Sequence, residues 1–325
     1  VFLSPFAIPG SRDLRSTEVA RDTPVPSGGG ARPEDNNYQV DGFDNQESGR
    51  HGFSVSPPVD SIAEFKVQSG TAGADFGRGS GTMINVVTKG GSNQFHGTLY
   101  DFLRNDMFDA RPFFAQNVAP LKRNQFGGSL GGPVWKDRVF FFGNYEGLRQ
   151  RSAGNPTIGR VPTVDERSGL FATAVRDPLT GQEFPKVGAN WQIPLDRMSP
   201  ISRKILDLWP TPNNNDVLAR NFRFEPGSVP VDRDNVSVRG DWNASGSDNV
   251  YVRYVLNDES ATTPPIFANG AGGRLFNLKA WTLGGHYNRV FSPRAVNDFA
   301  FGYMHYNNTN LSILSNGTNF HQQVG

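Results

Sequence analysis

Between Gly97 and Tyr306 the chain repeatedly writes short stretches in which apolar and polar residues alternate one for one, and nothing else constrains its fold as much. Successive side chains of a β-strand point to opposite faces, so a period of two predicts strands with one apolar and one polar face. From Asn235 to Trp242, Val236, Val238, Gly240 and Trp242 share one face, and Asn235, Ser237, Arg239 and Asp241 share the other. After a polar turn over 243–248, Val250, Val252, Tyr254 and Leu256 alternate with Tyr251, Arg253 and Asn257, which predicts a hairpin. A second hairpin is predicted from Trp281, Leu283, Gly285 and Tyr287, the break at Ser292-Pro293, and Phe299, Phe301 and Tyr303.

Two architectures produce this alternation. The strands of a soluble β-sandwich have one buried and one wet face; those of a membrane barrel have one face to lipid and one to the lumen. The connections separate the two. Short turns (243–248 and 290–293) alternate with long polar connections (150–234 and 258–276), as expected of a barrel with short turns on one rim and long loops on the other.

Composition narrows the field. The formal net charge is +1 and charged residues make up 19%, so no basic stripe points to nucleic acid. The 37 glycines and 23 prolines suit many strands and turns and argue against a helical bundle. There is no cysteine, hence neither a disulfide framework nor a thiolate metal site. No apolar run is long enough for a membrane helix, but a barrel strand needs only about 9–11 residues. The opening Val1-Phe2-Leu3 lacks both an initiator methionine and a leader pattern, which is the look of a fragment or a processed product.

Residues 1 to about 60 are rich in Pro, Gly, Asp and Asn, with a Gly28-Gly29-Gly30 run, and read as irregular apart from short strands around Tyr38–Val40 and Phe53–Val55. Ile62, Phe65 and Val67, then the β-branched run Thr82–Thr88, predict further strands, and Lys89-Gly90-Gly91-Ser92-Asn93 marks a boundary. Strands are then expected at Phe95–Arg104, Asn124–Leu130 and Arg138–Glu146, where the aromatic run Phe140, Phe141, Phe142 and Tyr145 suits a lipid-facing girdle. Within the long connection, Ser199 as N-cap, Pro200 at the first position and Met198, Ile201, Ile205 and Leu208 at helical spacing predict a helix that Pro210 stops.

Several local strings resemble a known family. The segment Asn36 to Asn45, reading NNYQVDGFDN, and Ile62 to Gln68 are similar to plug strands of TonB-dependent outer-membrane receptors, in particular the Oar-like group. So are Ala74 to Gly81, Asn85 to Asn93, Phe95 to Tyr100 and Leu103-Arg104-Asn105. Beyond them come Asn124 to Pro133, Phe140 to Gly147, and Lys204-Ile205-Leu206 running into Trp209-Pro210-Thr211-Pro212-Asn213-Asn214. The resemblance covers roughly residues 30 to 310 and is strongest to residue 150.

It implies a mainly β chain: a plug domain over 1–92, then over 93–325 the first antiparallel strands of a large, incomplete transmembrane β-barrel, with a long extracellular loop at about 150–234. Residues of the implied plug motif are Asp41, Gly42, Asn45, Glu64, Phe76, Gly77, Asn85, Thr88 and Lys89. Location in the outer membrane of a Gram-negative bacterium follows, with outer-membrane lipid around it and the inner-membrane TonB–ExbB–ExbD complex as energy-coupling partner. The implied role is uptake or binding of a large substrate such as an oligosaccharide, peptide or chelate. Neither a TonB-contact box nor the N-terminal Ig-like domain often seen in this group is visible in the sequence. The alternative from the residues alone is a soluble extracellular β-sandwich serving in binding or adhesion; a secreted hydrolase is a further one.

Chemical motifs carry less. Gly127-Gly128-Ser129-Leu130-Gly131 has the G-x-S-x-G form, but an elbow needs a strand, a turn and a helix, and Gly132-Pro133 follows instead. The five histidines (His51, His96, His286, His305, His321) lack zinc-site spacing. Asp41, Asp44 and Glu47 bunch oxygens without an EF-hand pattern, and Gly77-Arg78-Gly79-Ser80-Gly81 lacks the rest of a phosphate loop. Adjacent pairs such as Asp165-Glu166 and Asp258-Glu259 do not set the separation a glycosidase needs. No catalytic residue, metal or cofactor is therefore expected. Trp191, Trp209 and Phe267 are the candidates for stacking on an unknown ligand, with packing of the loop as the competing role.

Overall fold

In a computed structural model, residues 7–9, 26–28, 32, 35–47, 52–68, 81–111, 113, 117–153, 157–214, 220–267 and 270–316 are described. Strands β1 (Ala7–Pro9) and β2 (Pro26–Gly28) form an antiparallel pair. Next come β3 (Asn37–Val40), β4 (Phe43–Asp44), β5 (Ile62–Gln68) and β6 (Met83–Thr88). They make a small sheet in the order β4-β3-β6-β5, in which β3 and β6 run parallel. The predicted strand at Phe53–Val55 reduces to one bridge, Gln46 to Phe53. The backbone of Ser54 and Val55 bonds instead to Asn45.

The chain continues through β7 (His96–Asn105), β8 (Leu121–Trp135) and β9 (Val139–Ala153). The long connection is structured: β10 (Thr157–Gly159), α1 (Val164–Arg167), β11 (Leu170–Phe171), β12 (Lys186–Val187), β13 (Asn190–Gln192), α2 (Pro200–Leu208) and β14 (Phe222–Phe224). Helix α2 has the cap the sequence predicts, with the Ser199 side chain accepting from the Ser202 N–H and Pro200 in the first turn. Then follow β15 (Ser228–Asn243), β16 (Asp248–Thr263), β17 (Arg274–Ser292) and β18 (Ala295–Ser312).

Seven of these strands form one antiparallel sheet in the order β18-β17-β16-β15-β9-β8-β7. The chain divides into two compact units. One comprises Val1–Arg151, Pro230–Ala261 and Phe276–Thr309, and so holds the small sheet and most of the large one; the other comprises Ser152–Val229, Thr262–Leu275 and Asn310–Gly325.

The polarity of the large sheet argues against the sandwich. Val238, Trp242 and Val252, from the apolar phase of the first hairpin, are 47%, 51% and 50% exposed. From the polar phase, Ser237 and Arg253 are each 2% exposed and Glu259 is fully buried. A sandwich buries its apolar faces against each other; this sheet turns its apolar phase outward. Its inward phase packs on the small sheet and its loop. There Val55 joins Val231, Val255, Ala261, Phe276, Leu278 and Ala280 in the main core, flanked by Phe53 and Tyr306.

Outward side chains change character along the strands. On β15 and β17 the middle is Val236, Val238, Gly240, Trp242, Trp281 and Leu283. At one end Asp234 pairs with Arg149 at 2.8 Å, and Asp258, directly across from Asp234, pairs with Lys279 at 3.7 Å. At the other end Asp248 faces Arg289 at 3.6 Å and accepts from the Tyr287 hydroxyl at 2.8 Å. From Asp234 to Trp242 is about 26 Å of strand at roughly 3.3 Å per residue, close to the apolar band of outer-membrane barrels.

Two expectations are corrected here. Strands β9 and β15 run on to Ala153 and back to Ser228, well into the segment predicted as loop. Past the apolar band their outward residues are the ion pairs Arg149–Asp234 and Arg151–Asp232, so strand continues where alternation stops. Nor does the aromatic run of β9 all face outward. A period of two sends Phe142 inward, where it is buried, while Phe141 and Tyr145 take the outward phase.

Candidate functional site: a clamped turn against the large sheet

The tip of the β3–β4 hairpin is bonded both within the small sheet and to the large one. Val40 pairs with Phe43, leaving Asp41-Gly42 as a two-residue loop, and both residues have positive φ, 52° and 81°. That is the backbone of the mirror-image turn suited to strand twist, and Asp-Gly is a preferred pair for it. The turn fixes the Asp41 carboxylate, which accepts from the Thr88 N–H at 2.7 Å and from the Thr88 hydroxyl at 2.8 Å. The Gly42 N–H donates to the Asn85 side chain at 3.2 Å.

Two arginines of the large sheet close on that carboxylate. Arg253 Nε lies 3.0 Å from Asp41 Oδ2 with both side chains 2% exposed, and Arg239 lies 3.7 Å from Oδ1. The arginines are themselves directly opposite each other in the β15–β16 register. Like charges in that position repel, and Asp41 supplies the anion between them. Each is also held elsewhere. Arg253 donates to the Val40 carbonyl at 2.9 Å and to the Thr282 hydroxyl at 3.0 Å. Arg239 donates to the Asp241 carboxylate at 2.8 Å and to the Thr88 carbonyl at 3.2 Å, and lies 4.1 Å over the Tyr251 ring. Tyr251 in turn stacks on His286, which pairs with Asp298.

Phe43 completes the clamp. A Cβ added at Gly284 would come within 2.8 Å of its ring, and one at Gly302 within 2.7 Å, so only glycine on β17 and β18 leaves room for the aromatic tip. Nearby, Asn257 of β16 grips the loop backbone in both directions, accepting from the Ser56 N–H at 2.6 Å and donating to the Ser56 carbonyl at 3.1 Å. Asp41 and Phe43, two positions apart on one hairpin, thus seat a buried charge pair and an aromatic peg side by side against the large sheet.

Of the implied motif residues, Asp41, Gly42, Asn85 and Thr88 meet at this joint. Asn45 ties its own loop by amide bonds to Val55 at 2.8 and 3.0 Å. Glu64 is exposed on β5, and the Lys89 N–H donates to the Ser61 carbonyl. Phe76 and Gly77 lie outside the described residues, as do His51 and His321.

The ligand-stacking candidates divide. Trp209 and Phe267 meet edge to face at 5.1 Å, whereas Trp191 on β13 donates to Glu183 at 3.1 Å and carries Lys186 over its ring at 4.2 Å. Ser129 sits in mid-strand on β8, hydrogen-bonded to Thr98 at 2.8 Å, with no elbow around it. Among the described residues no group of three His, Asp or Glu side chains is placed to hold a metal ion.

Arg239, Arg253, Tyr251, Phe43, Gly284 and Gly302 were not singled out from the sequence. A signal for the arginines exists, since Arg253 is the one cation on the inward phase of β16 and Arg239 shares that of β15 with Arg233 alone, each opposite apolar outward neighbours.

Comparisons with known proteins agree with this geometry. TonB-dependent transporter Oar of Myxococcus xanthus is 28% identical over 146 residues, 42% of this chain and 14% of the relative. The outer membrane transporter YddB of Escherichia coli superposes with a TM-score of 0.55 at 12% identity, over 89% of this chain and 34% of that one, a likeness of fold. The chain thus spans a minor part of the length of the proteins it matches. A family model described as outer membrane beta barrel domain matches residues 87–325. With most of its length in that match and its apolar phase turned outward, the chain belongs to the outer membrane beta barrel domain family and resides in the outer membrane.

Proposed function

We propose that this chain is the plug and first barrel strands of a TonB-dependent receptor that takes up a large substrate, an oligosaccharide, peptide or chelate, across the outer membrane. On this reading residues 1–92 form the plug and 93–325 the start of the barrel, and the segment at about 150–234 is extracellular. The observation that carries it is the joint at Asp41: a small sheet held to the inward face of a membrane sheet by a buried ion pair and a peg. A purely structural filling of the lumen is served by apolar packing, because a buried ion pair is weak evidence for stability. A part that must leave and return is better served by bonds that re-form in one register.

Energy for release comes, on this reading, from the inner-membrane TonB–ExbB–ExbD complex that the resemblance implies; the relative is named a TonB-dependent transporter. Outer segments, with Trp191, Trp209 and Phe267 among their aromatics, capture the substrate, and the plug then shifts to open a path. The test is conductance of the full-length protein in planar bilayers. Excising residues 1–92 should convert a closed barrel into a large pore. In the intact chain, a Phe43→Cys/Gly302→Cys disulfide should abolish TonB-dependent uptake, and reductant should restore it. Unchanged conductance after excision, or uptake through the oxidised lock, contradicts the reading.

A further inference from the structure

The inward phase of β7, β8 and β9 carries a surface that the clamp does not use. Tyr100 and Phe102 of β7 stand directly across from Gly127 and Gln125 of β8. A Cβ at Gly127 would come within 2.6 Å of the Tyr100 hydroxyl, so glycine there lets the phenol lie across β8 and reach β9. That hydroxyl donates to Glu146 Oε2 at 2.9 Å, and the Gln125 amide donates to the same oxygen at 3.1 Å. Arg123, two positions along the same face, donates to the Gln125 side-chain carbonyl at 3.2 Å. These bonds fix the Glu146 carboxylate, yet Oε1 accepts from no described residue. Three more groups are spare. Phe102 lies beside Tyr100, ring centroids 5.3 Å apart, and is 63% exposed. Among the described residues, the Arg123 guanidinium has Gln125 as its one hydrogen-bond partner. Asn144, two positions from Glu146 on the same face, is 4% exposed, and neither of its amide atoms has a hydrogen-bond partner among the described residues. Buried polar groups of this kind are normally satisfied, so the amide calls for a partner that comes and goes.

We propose that this wall is a sugar-binding subsite, on which a neutral pyranose ring stacks on Phe102 and shares its hydroxyls between Glu146 Oε1 and Arg123. The inference rests on the uptake reading and selects the oligosaccharide among its three substrate classes. Phe102 is on the inward phase, so lipid does not account for it; Leu99 and Leu103, on the outward phase of the same strand, are the residues that lipid meets. A pyranose has one face of C–H groups, which gains dispersion contact with an aromatic ring, and hydroxyls that each donate and accept. A carboxylate with a free oxygen and a guanidinium with free N–H groups, held in one network beside an exposed ring, meet both demands. The other two classes fit less well. A chelate that binds iron through anionic oxygens is repelled by Glu146 and by Asp60, which lies within electrostatic reach of the Tyr100 hydroxyl. A peptide ammonium satisfies Glu146 but brings a like charge to Arg123.

The test is native mass spectrometry of the full-length protein in detergent, titrated with an equimolar mixture of maltohexaose, cellohexaose, xylohexaose, trilysine and ferric citrate. Wild type should bind a hexasaccharide in preference to trilysine and ferric citrate. Phe102→Ala should weaken that binding about tenfold, the worth of a stacked ring, and Arg123→Met should weaken it as well. Phe102→Trp should keep it, and so should Leu103→Ala, the neighbouring change on the outward phase. No hexasaccharide on wild type, a preference for trilysine or ferric citrate, or equal binding by Phe102→Ala and wild type would overturn the assignment. The two readings fail separately. Unchanged conductance after excision of residues 1–92 overturns uptake whatever binds, and a wild type that ignores the hexasaccharides while excision opens a pore overturns the subsite alone.

Discussion

Asp41 illustrates how much one residue can be asked to do. It occupies a left-handed position that few side chains tolerate, caps the end of β6 through Thr88 and neutralises two opposed arginines. Removing one partner of a buried pair costs about 3–5 kcal/mol, because the other charge stays buried. Asp41→Ala should therefore loosen the small sheet, seen as faster hydrogen exchange over 37–44, while Asp41→Leu combined with Arg253→Met restores much of the protection. Equal exchange in wild type and Asp41→Ala would count against the joint. This site was partly legible in advance. The strings around Asp41 and Thr88 stood out, but the arginines did not, although the 243–248 turn sets Arg239 against Arg253 and two facing cations call for an anion between them. What the sequence could not supply was that the anion comes from roughly two hundred residues away, since alternation fixes a face and not the partner on it.

A second residue-scale prediction concerns the long connection. Burial works to raise the Glu166 carboxyl, but the Thr163 N–H and the Arg160 guanidinium outweigh it and hold the group below its ordinary value. Asp177 is held low by the Leu179 N–H and by Arg197. A depressed carboxylate stabilises the fold above its unfolded value, about 4 for these groups, and that contribution is lost as pH falls through the folded value. Exchange protection over 160–198, corrected for intrinsic rates, should hold at pH 6 and fall below about pH 4. In Arg197→Met the fall should begin at higher pH, and a loss on raising pH instead would contradict the assignment.

Elements were legible wherever lipid and interior imposed opposite demands on alternate residues. Both predicted hairpins lie where the pattern placed them; helix α2, read from its cap and spacing, and β3, β5 and β6 are also found, whereas β4 was not anticipated and the strand at Phe53–Val55 reduced to one bridge. Strand ends were not, because beyond the apolar band the outward phase turns to charge at Asp234 and Asp232 while the inward phase carries Val231 and Ala261, so the apolar phase changes face although backbone pairing continues. The same logic gives a graded prediction. Val238→Arg, in the middle of the band, should lower barrel stability by about 2–4 kcal/mol in denaturant titrations in liposomes, and a cation near the rims by about 0–1 kcal/mol. Equal costs at the two depths would mean that the band is not in lipid. The connector between the sheets is tested by glycine. At Gly91 a Cβ would stand 2.4 Å from the Phe141 carbonyl, whereas at Gly240 it meets nothing. Gly91→Ala should cost about 1–3 kcal/mol of overpacking, and Gly240→Ala should stay within about 0.5 kcal/mol.

At the scale of the molecule, one inversion organises everything else: apolar residues outward, charge pairs and amides inward, and a small sheet joined to the inward face. Fold class was readable because a barrel wall and a sandwich differ in which phase is buried, and the long and short connections favoured the wall. Function was readable only as far as the resemblance carried it, since substrate choice belongs to side chains on the loops and not to the fold. The inversion can be measured directly, because the chain has no cysteine to remove. Single cysteines at 235–242, spin-labelled in the protein reconstituted into liposomes, report accessibility to oxygen, which concentrates in lipid, against a water-soluble nickel chelate. The account predicts a period of two, with Val236, Val238, Gly240 and Trp242 positions exposed to oxygen and shielded from the chelate, and Asn235, Ser237, Arg239 and Asp241 positions shielded from oxygen. The opposite phase, or all eight positions open to the chelate, would contradict it.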